Sequence, residues 1–157
     1  MTVCAWVSIP FGDGFFSLQS FGVCLCLLLL GGRRGCCSIL VYLLAGAAGL
    51  PVFSGFRGGL GILFGVTGGY LWGFLLFGLV YWAITAVCPL QKIPALLAGQ
   101  LFCYCAGALW YYFLFLKNGS ILGFGVIVLK TVVPYLLTDL GKLLFAHFLS
   151  KRLRPFV

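Results

Sequence analysis

Asp139 and Lys142 carry the clearest chemical signal in the sequence. They stand three positions apart in an apolar stretch near the carboxyl end, a spacing that puts both side chains on one face of a predicted helix. An ionisable side chain inside a membrane segment costs several kcal/mol unless it is paired or hydrated, so it indicates a functional site. The alternatives are an ion pair within the helix and a Lys142 that reaches the membrane surface. Because the pair lies about one turn inside the predicted outer end, we expect a ligand site.

A glycine-rich segment, residues 49–61 (GLPVFSGFRGGLG), separates two long apolar runs and contains Ser54 and Arg57. Its glycines and its proline disfavour a helix. Irregular backbone at membrane depth is tolerated where it is buried in protein or lines a wet cavity, and the alternative is an ordinary outer loop with a solvated Arg57. We expect a lid whose glycines act as hinges and whose Ser54 and Arg57 contact a ligand.

Three further polar residues stand at predicted helix ends. Thr67 precedes Gly68-Gly69-Tyr70, where it is expected to cap the helix or hold a substrate at the free N–H groups, and Tyr70 is a candidate ligand contact. Gln19, with Ser17 and Ser20, forms a polar patch at the start of another apolar stretch. A buried Gln is as often a link between helices as a ligand contact.

The composition indicates which kind of protein positions these residues. Of the 157 residues, 63% are hydrophobic and 8% are charged, with a mean hydropathy of +1.19, whereas a soluble domain is about 45–50% apolar and about 25% charged. The sequence therefore predicts a multi-pass protein of the plasma membrane, with residues 1–157 as one substrate-binding domain. The net charge of +8 is attributed to topology and to contact with anionic membrane lipid. Because no basic patch is interleaved with aromatic residues, nucleic acid is not expected as a partner.

Apolar stretches long enough for helices alternate with short polar turns. They run over residues 1–9, 15–30, 36–50, 70–87, 94–116 and 135–149, with a shorter interfacial stretch at 121–133. The predicted fold class is an all-α membrane protein: a compact bundle of about six transmembrane helices, the first short or truncated, with the glycine-rich outer loop between helices 3 and 4. Basic residues favour one end, which is predicted to be the inner one. These are Arg33, Arg34, Lys92, Lys151, Arg152 and Arg154, against Arg57, Lys117 and Lys130 at the other end.

Motifs for catalysis, nucleotides and metals are absent from the sequence. It contains no GxxxxGK[ST], GxSxG or HExxH, and its eight cysteines lack the spacing of a zinc site. We therefore expect no enzyme, no catalytic or metal-binding residue, no cofactor and no ATP site in this chain.

Three motifs together resemble the BioY family, the biotin-binding S components of energy-coupling factor (ECF) transporters. Residues 49–74 (GLPVFSGFRGGLGILFGVTGGYLWGF) resemble that family's signature loop and fourth helix, with Val66 where the family usually has proline. Residues 133–142 (VPYLLTDLGK) are similar to its entry into the last helix, and Ser8-Ile9-Pro10 with Leu18-Gln19 to its first outer loop.

The resemblance implies capture and uptake of biotin, with energy supplied by an ECF coupling transmembrane subunit and two cytosolic ATPase subunits. The alternatives are an S component for another vitamin, such as thiamin or riboflavin, and a structural membrane protein without a small ligand. For biotin, Lys142 or Arg57 suits the carboxylate, and Asp139, Ser54 or Gln19 suits the ureido N–H groups. Aromatic walls are expected from Phe53, Tyr70 and Trp72.

Overall fold

A short helix and a β-hairpin lead into the first long helix. This computed structural model describes residues 1–11, 14–117 and 124–153. Its first elements are α1 (Thr2–Trp6), β1 (Ser8–Phe11) and β2 (Gly14–Ser17), and the two strands are antiparallel. The strand β2 corrects the prediction of a helical stretch over residues 15–30, because its residues pair with β1 and the helix begins only at Gln19. The turn expected between the predicted apolar stretches 1–9 and 15–30 lies partly outside the described residues.

Helix α2 spans Gln19–Ala47 and folds back on itself at Gly31. Gly31 has φ 78° and ψ 176°, a conformation that is open almost only to glycine. In an unbroken helix Gln19 and Tyr42 would lie about 34 Å apart, whereas their side chains are hydrogen bonded at 2.9 Å. We name residues 19–30 the first arm and residues 32–47 the second arm. The predicted pair of helices is therefore present, but a single residue separates them instead of the expected linker over residues 31–35.

Five more helices complete the described chain. They are α3 (Leu60–Leu63), α4 (Gly68–Val87), α5 (Lys92–Lys117), α6 (Phe124–Thr131) and α7 (Val133–Leu153). Helices α5 and α7 begin slightly before the predicted positions 94 and 135, since Pro94 and Pro134 fit into the first turn, where a helix needs no N–H from them.

The helices are arranged as a ring. Helix α4 packs on α5 and α2, α2 packs on α7, and α6 touches both α5 and α7. Glycine allows close approach at the α4–α5 contact, where Gly73 lies against Cys103 and Gly99 against Phe77. The core of the ring is apolar and includes fully buried Leu27, Ile39 and Phe77.

Three of the described helices are long and apolar enough to cross a membrane, namely Gln19–Ala47, Gly68–Val87 and Lys92–Lys117. Their outward surfaces carry large apolar side chains, such as Leu79, Leu101 and Phe113, which are between 43% and 66% exposed. Such a surface suits lipid and not water. The fold confirms the predicted helical membrane bundle.

Residues 49–61, here named the glycine loop, fold tightly over the second arm of α2. The Phe53 N–H donates to the Arg57 carbonyl at 3.0 Å, and the Gly59 N–H donates to the Gly46 carbonyl at 2.7 Å. The Phe53 ring is 2% exposed and rests on Gly46, where a Cβ would overlap it. Gly49, Gly55 and Gly59 have φ of 97°, 73° and 99°, a region that L side chains rarely enter. Glycine is therefore required here by backbone shape.

Candidate functional site

The Asp139 and Lys142 side chains form an ion pair on α7. Lys142 Nζ lies 2.8 Å from Asp139 Oδ1, and the two side chains are 10% and 9% exposed. The contact follows from their spacing, because residues three apart meet on a helix surface. A buried pair loses hydration on both partners, so its remaining hydrogen-bonding capacity must be filled by neighbours.

The start of α2 supplies neighbours to this pair. Ser20 Oγ donates to Asp139 Oδ1 at 2.9 Å, and Lys142 Nζ donates to the Ser17 carbonyl at 2.8 Å. Ser17 ends β2 and Ser20 lies in the first turn of α2. The hairpin and the first arm therefore fix the ammonium group from a second direction.

Helix α5 holds the other carboxylate oxygen. Tyr104 Oη donates to Asp139 Oδ2 at 2.7 Å, and Gln100 Nε2 donates to the same oxygen at 3.2 Å. With the Lys142 and Ser20 bonds, the Asp139 carboxylate accepts four hydrogen bonds, which is about the capacity of its two oxygens. We name these five side chains the carboxylate network: Ser20, Gln100, Tyr104, Asp139 and Lys142.

A second network joins the glycine loop to α2. Ser54 Oγ donates to Gln19 Oε1 at 3.0 Å, and Gln19 Nε2 donates to Tyr42 Oη at 2.9 Å. Tyr42 Oη in turn donates to the Val52 carbonyl at 2.9 Å. Gln19 and Ser20 are adjacent in sequence, so the two networks meet at the start of α2.

Helix α1 and strand β1 also contact the glycine loop, at residues outside the two networks. Trp6 Nε1 donates to the Pro51 carbonyl at 2.7 Å, and the Trp6 and Phe56 rings stack with centroids 5.1 Å apart. The Gly55 N–H donates to Ser8 Oγ at 3.2 Å. Phe56 has φ 56°, an uncommon conformation for a bulky residue. We name these contacts the loop clamp.

Four of the seven predicted ligand residues therefore come together at one end of the bundle, here called the site end. Gln19, Ser54, Asp139 and Lys142 all belong to the two networks. Tyr70 is close to them, because it packs against a small buried cluster of Tyr104, Ala108 and Val132. Whether any of these side chains contacts a ligand stays a prediction.

Arg57 and Thr67 lie at the site end but in other surroundings. Arg57 is exposed on the glycine loop, three residues after Ser54. Thr67 occupies the N-cap position of α4, but its side chain makes no capping hydrogen bond. The expected cap is therefore wrong, because the Thr67 backbone has helical angles (φ −87°, ψ −4°) in place of the extended geometry that side-chain capping uses.

Three residues of the networks escaped the sequence analysis. Gln100 and Tyr104 stand four positions apart within an apolar helix, a polar pair on one face that could have marked an inward-facing site. Tyr42 gave no such signal, since a lone tyrosine in an apolar stretch is common in membrane helices.

The expected aromatic walls are only partly suited to a ligand. Phe53 is buried beneath the glycine loop, and Trp72 is 38% exposed at the bundle surface. The cysteines are all free thiols, and the described residues contain no cluster of three or more His, Cys, Asp or Glu side chains able to hold a metal ion.

Comparison with known proteins gives one consistent family. The model of the BioY family matches residues 1–157. "Biotin transporter BioY" of Thermotoga maritima is 35% identical over 158 residues, which cover 98% of this chain and 89% of the relative. "Biotin transporter BioY2" of Lactococcus lactis subsp. cremoris is 33% identical over 96% of this chain and 86% of the relative.

The fold is shared with a solved structure described as the S-component for biotin from an ECF-type ABC transporter. The TM-score is 0.84 at 24% identity, over 98% of this chain and 84% of that one. The matches confirm the predicted family and, with it, the predictions of a multi-pass membrane protein that is not an enzyme. This chain belongs to the BioY family.

Proposed function

We propose that this chain captures biotin and takes it across the cell membrane as the substrate-binding S component of an ECF-type transporter. The observation that carries the proposal is the buried Asp139–Lys142 pair, because a largely buried cation among polar side chains suits a ligand with a carboxylate. The names of the relatives support biotin as that ligand.

The carboxylate of biotin is assigned to Lys142. The ammonium group is a compact point charge with three donors, held between Asp139 Oδ1 and the Ser17 carbonyl. Asp139 already accepts four hydrogen bonds, so we assign it to the orientation of Lys142 in preference to direct contact with the ligand.

The ureido and ring portions of biotin are assigned to the other network. Gln19 and Ser54 carry oxygen atoms at the inner side of the glycine loop, and such oxygens accept from ureido N–H groups. Tyr70 offers an apolar ring face beside Tyr104 of the carboxylate network, in keeping with pockets that are mostly apolar with a few placed polar groups. Arg57 and Thr67 complete the proposed set at the rim.

The energy for uptake is assigned to partner subunits. Because the chain lacks a phosphate-binding loop, we propose a coupling transmembrane subunit and two cytosolic ATPase subunits, within a lipid bilayer. The end of the bundle opposite the site is the proposed cytosolic end. It carries Arg33, Arg34, Lys92, Lys151 and Arg152.

Binding of radiolabelled biotin to the purified chain in lipid nanodiscs tests the ligand. We expect saturable binding that unlabelled biotin displaces and that thiamin and riboflavin leave intact. Asp139→Asn and Lys142→Ala are expected to weaken it strongly, whereas Lys151→Ala, an exposed cation at the opposite end, leaves it unchanged. Unchanged affinity in both site variants would remove the assigned site, and displacement by another vitamin would replace the ligand.

Uptake by cells tests the partners. Cells that produce this chain together with the coupling subunit and ATPases are expected to accumulate labelled biotin, and an ATPase variant unable to hydrolyse ATP is expected to stop this accumulation. Equal uptake by the chain alone would contradict the proposed dependence on partners.

A further inference from the structure

Helices α5 and α7 meet chiefly through side chains. In the described part of the chain, α5 packs along α4 and α7 packs along α2, while backbone contact between α5 and α7 themselves is slight. The Asp139 carboxylate bridges this gap, with Tyr104 Oη at 2.7 Å and Gln100 Nε2 at 3.2 Å from Oδ2. Two donors from one helix face, a single turn apart, therefore converge on one oxygen.

We propose that Gln100 and Tyr104 are positioning residues that set the strength of carboxylate recognition by Lys142. The inference rests on the proposed function. Neither residue needs to touch the ligand carboxylate, because both act through Asp139.

Gln100 and Tyr104 act on Lys142 in two steps. Hydrogen bonds to a charged group are stronger and more directional than neutral ones, so Oδ2 is fixed in place by α5. Because the carboxylate is planar and rigid, a fixed Oδ2 also fixes Oδ1, which holds Lys142 Nζ at 2.8 Å. Lys142 would otherwise lose rotamer freedom when it binds a ligand, and this arrangement fixes it beforehand.

A role limited to stability predicts something different. If the hydrogen bonds between α5 and α7 only stabilise the fold, their loss would lower the affinity for every ligand of the site alike. If they orient Lys142, their loss lowers the affinity for ligands with a carboxylate far more than for ligands without one. Biotin and biotinamide differ in that group alone, so the ratio of their dissociation constants separates the two roles.

The test measures the dissociation constants of biotin and biotinamide for the purified full chain in nanodiscs. We expect the wild type to prefer biotin. Tyr104→Phe keeps the ring and removes the donor, and we expect biotin affinity to fall about tenfold, as for loss of one hydrogen bond to a charged group, while biotinamide affinity stays within about twofold. Gln100→Leu, which removes the longer bond, is expected to act in the same direction by about threefold.

Tyr111→Phe serves as the matched control, since Tyr111 is a buried tyrosine of the same helix. We expect the ratio of biotin to biotinamide affinity to stay at the wild-type value in this variant, and a melting curve for every variant identifies loss of fold. If one variant does not fold, the other carries the test.

Each result is decisive. Equal losses for both ligands, or no loss for either, would overturn the positioning role while leaving biotin capture intact. A wild type without preference for the carboxylate would also overturn it. Failure of the wild type to bind biotin at all would instead refute the proposed function.

Discussion

The carboxylate network and the loop clamp lie at the same end of the bundle but are built by different physics. The first consists of side chains from three helices around a buried charge pair, Asp139 and Lys142. The second consists of backbone groups, neutral hydrogen bonds and a stacked ring pair around Trp6 and Phe56. Removing the partner of a buried charge costs a large free energy of folding, whereas the loss of a neutral hydrogen bond at the surface costs little.

This difference indicates a division of roles. We predict that the charged network remains fixed and defines which ligand group is accepted. The glycine loop is held by the buried Phe53 ring and by neutral hydrogen bonds, and we predict that it opens and closes over the site. Variants in the carboxylate network and in the glycine loop should therefore differ in the size of their effects and in the binding or stability property that they change.

The largest effect is expected from Lys142→Met. The change leaves Asp139 charged and buried without its cation, which typically costs about 3–5 kcal/mol, so the melting temperature falls and biotin binding weakens by at least about a hundredfold. In the double variant with Asp139→Asn the stranded charge is gone, and we expect the melting temperature to recover while biotin binding does not. Calorimetry and labelled biotin measure the two quantities. Near-normal binding by the double variant would show that no charge is needed.

A smaller loss of stability and of biotin affinity is expected from Gly46→Val, which changes the residue against which the Phe53 ring of the glycine loop packs. The new side chain would overlap the Phe53 ring, and overpacking of this kind costs about 1–3 kcal/mol. We expect faster biotin release and a lower melting temperature. Gly61→Ala is the control, since nothing lies within 4 Å of a Cβ there. Equal behaviour of the two variants would argue against Phe53 as the anchor of the loop.

A modest change is expected from Ser54→Ala. It removes the donor to Gln19 Oε1, a neutral hydrogen bond worth about 1 kcal/mol, which corresponds to about a fivefold weaker affinity. The loss should appear in the dissociation rate measured by chase with unlabelled biotin, because variants of one binding site mostly change the dissociation rate. A change confined to the association rate would place Ser54 in loop opening instead.

The smallest effect is expected from Thr67→Ala. Loss of a true N-cap costs about 1 kcal/mol, but Thr67 makes no side-chain cap, so we expect stability to change by no more than about 0.5 kcal/mol. Biotin affinity measured in the same samples shows whether Thr67 contacts the ligand. A loss of several-fold in affinity with unchanged melting would support Thr67 as a ligand contact.

The sequence by itself determined the membrane environment, the helical fold class and the central ion pair. Apolar length and the scarcity of charge require lipid around the chain, and the spacing of Asp139 and Lys142 requires one helix face. These are local properties, which one stretch of chain fixes without help from another. The family also followed from contiguous motifs, over residues 49–74 above all.

The tertiary structure alone decided which residues surround that pair. Gln100 and Tyr104 lie 39 and 35 positions from Asp139, and Ser20 lies 119 positions away, distances over which no periodicity carries information. The strand over Gly14–Ser17 likewise depends on pairing with Ser8–Phe11, and the same residues read alone suggest a helix. Long-range packing supplies these partners because a buried carboxylate takes donors from whichever helices close around it.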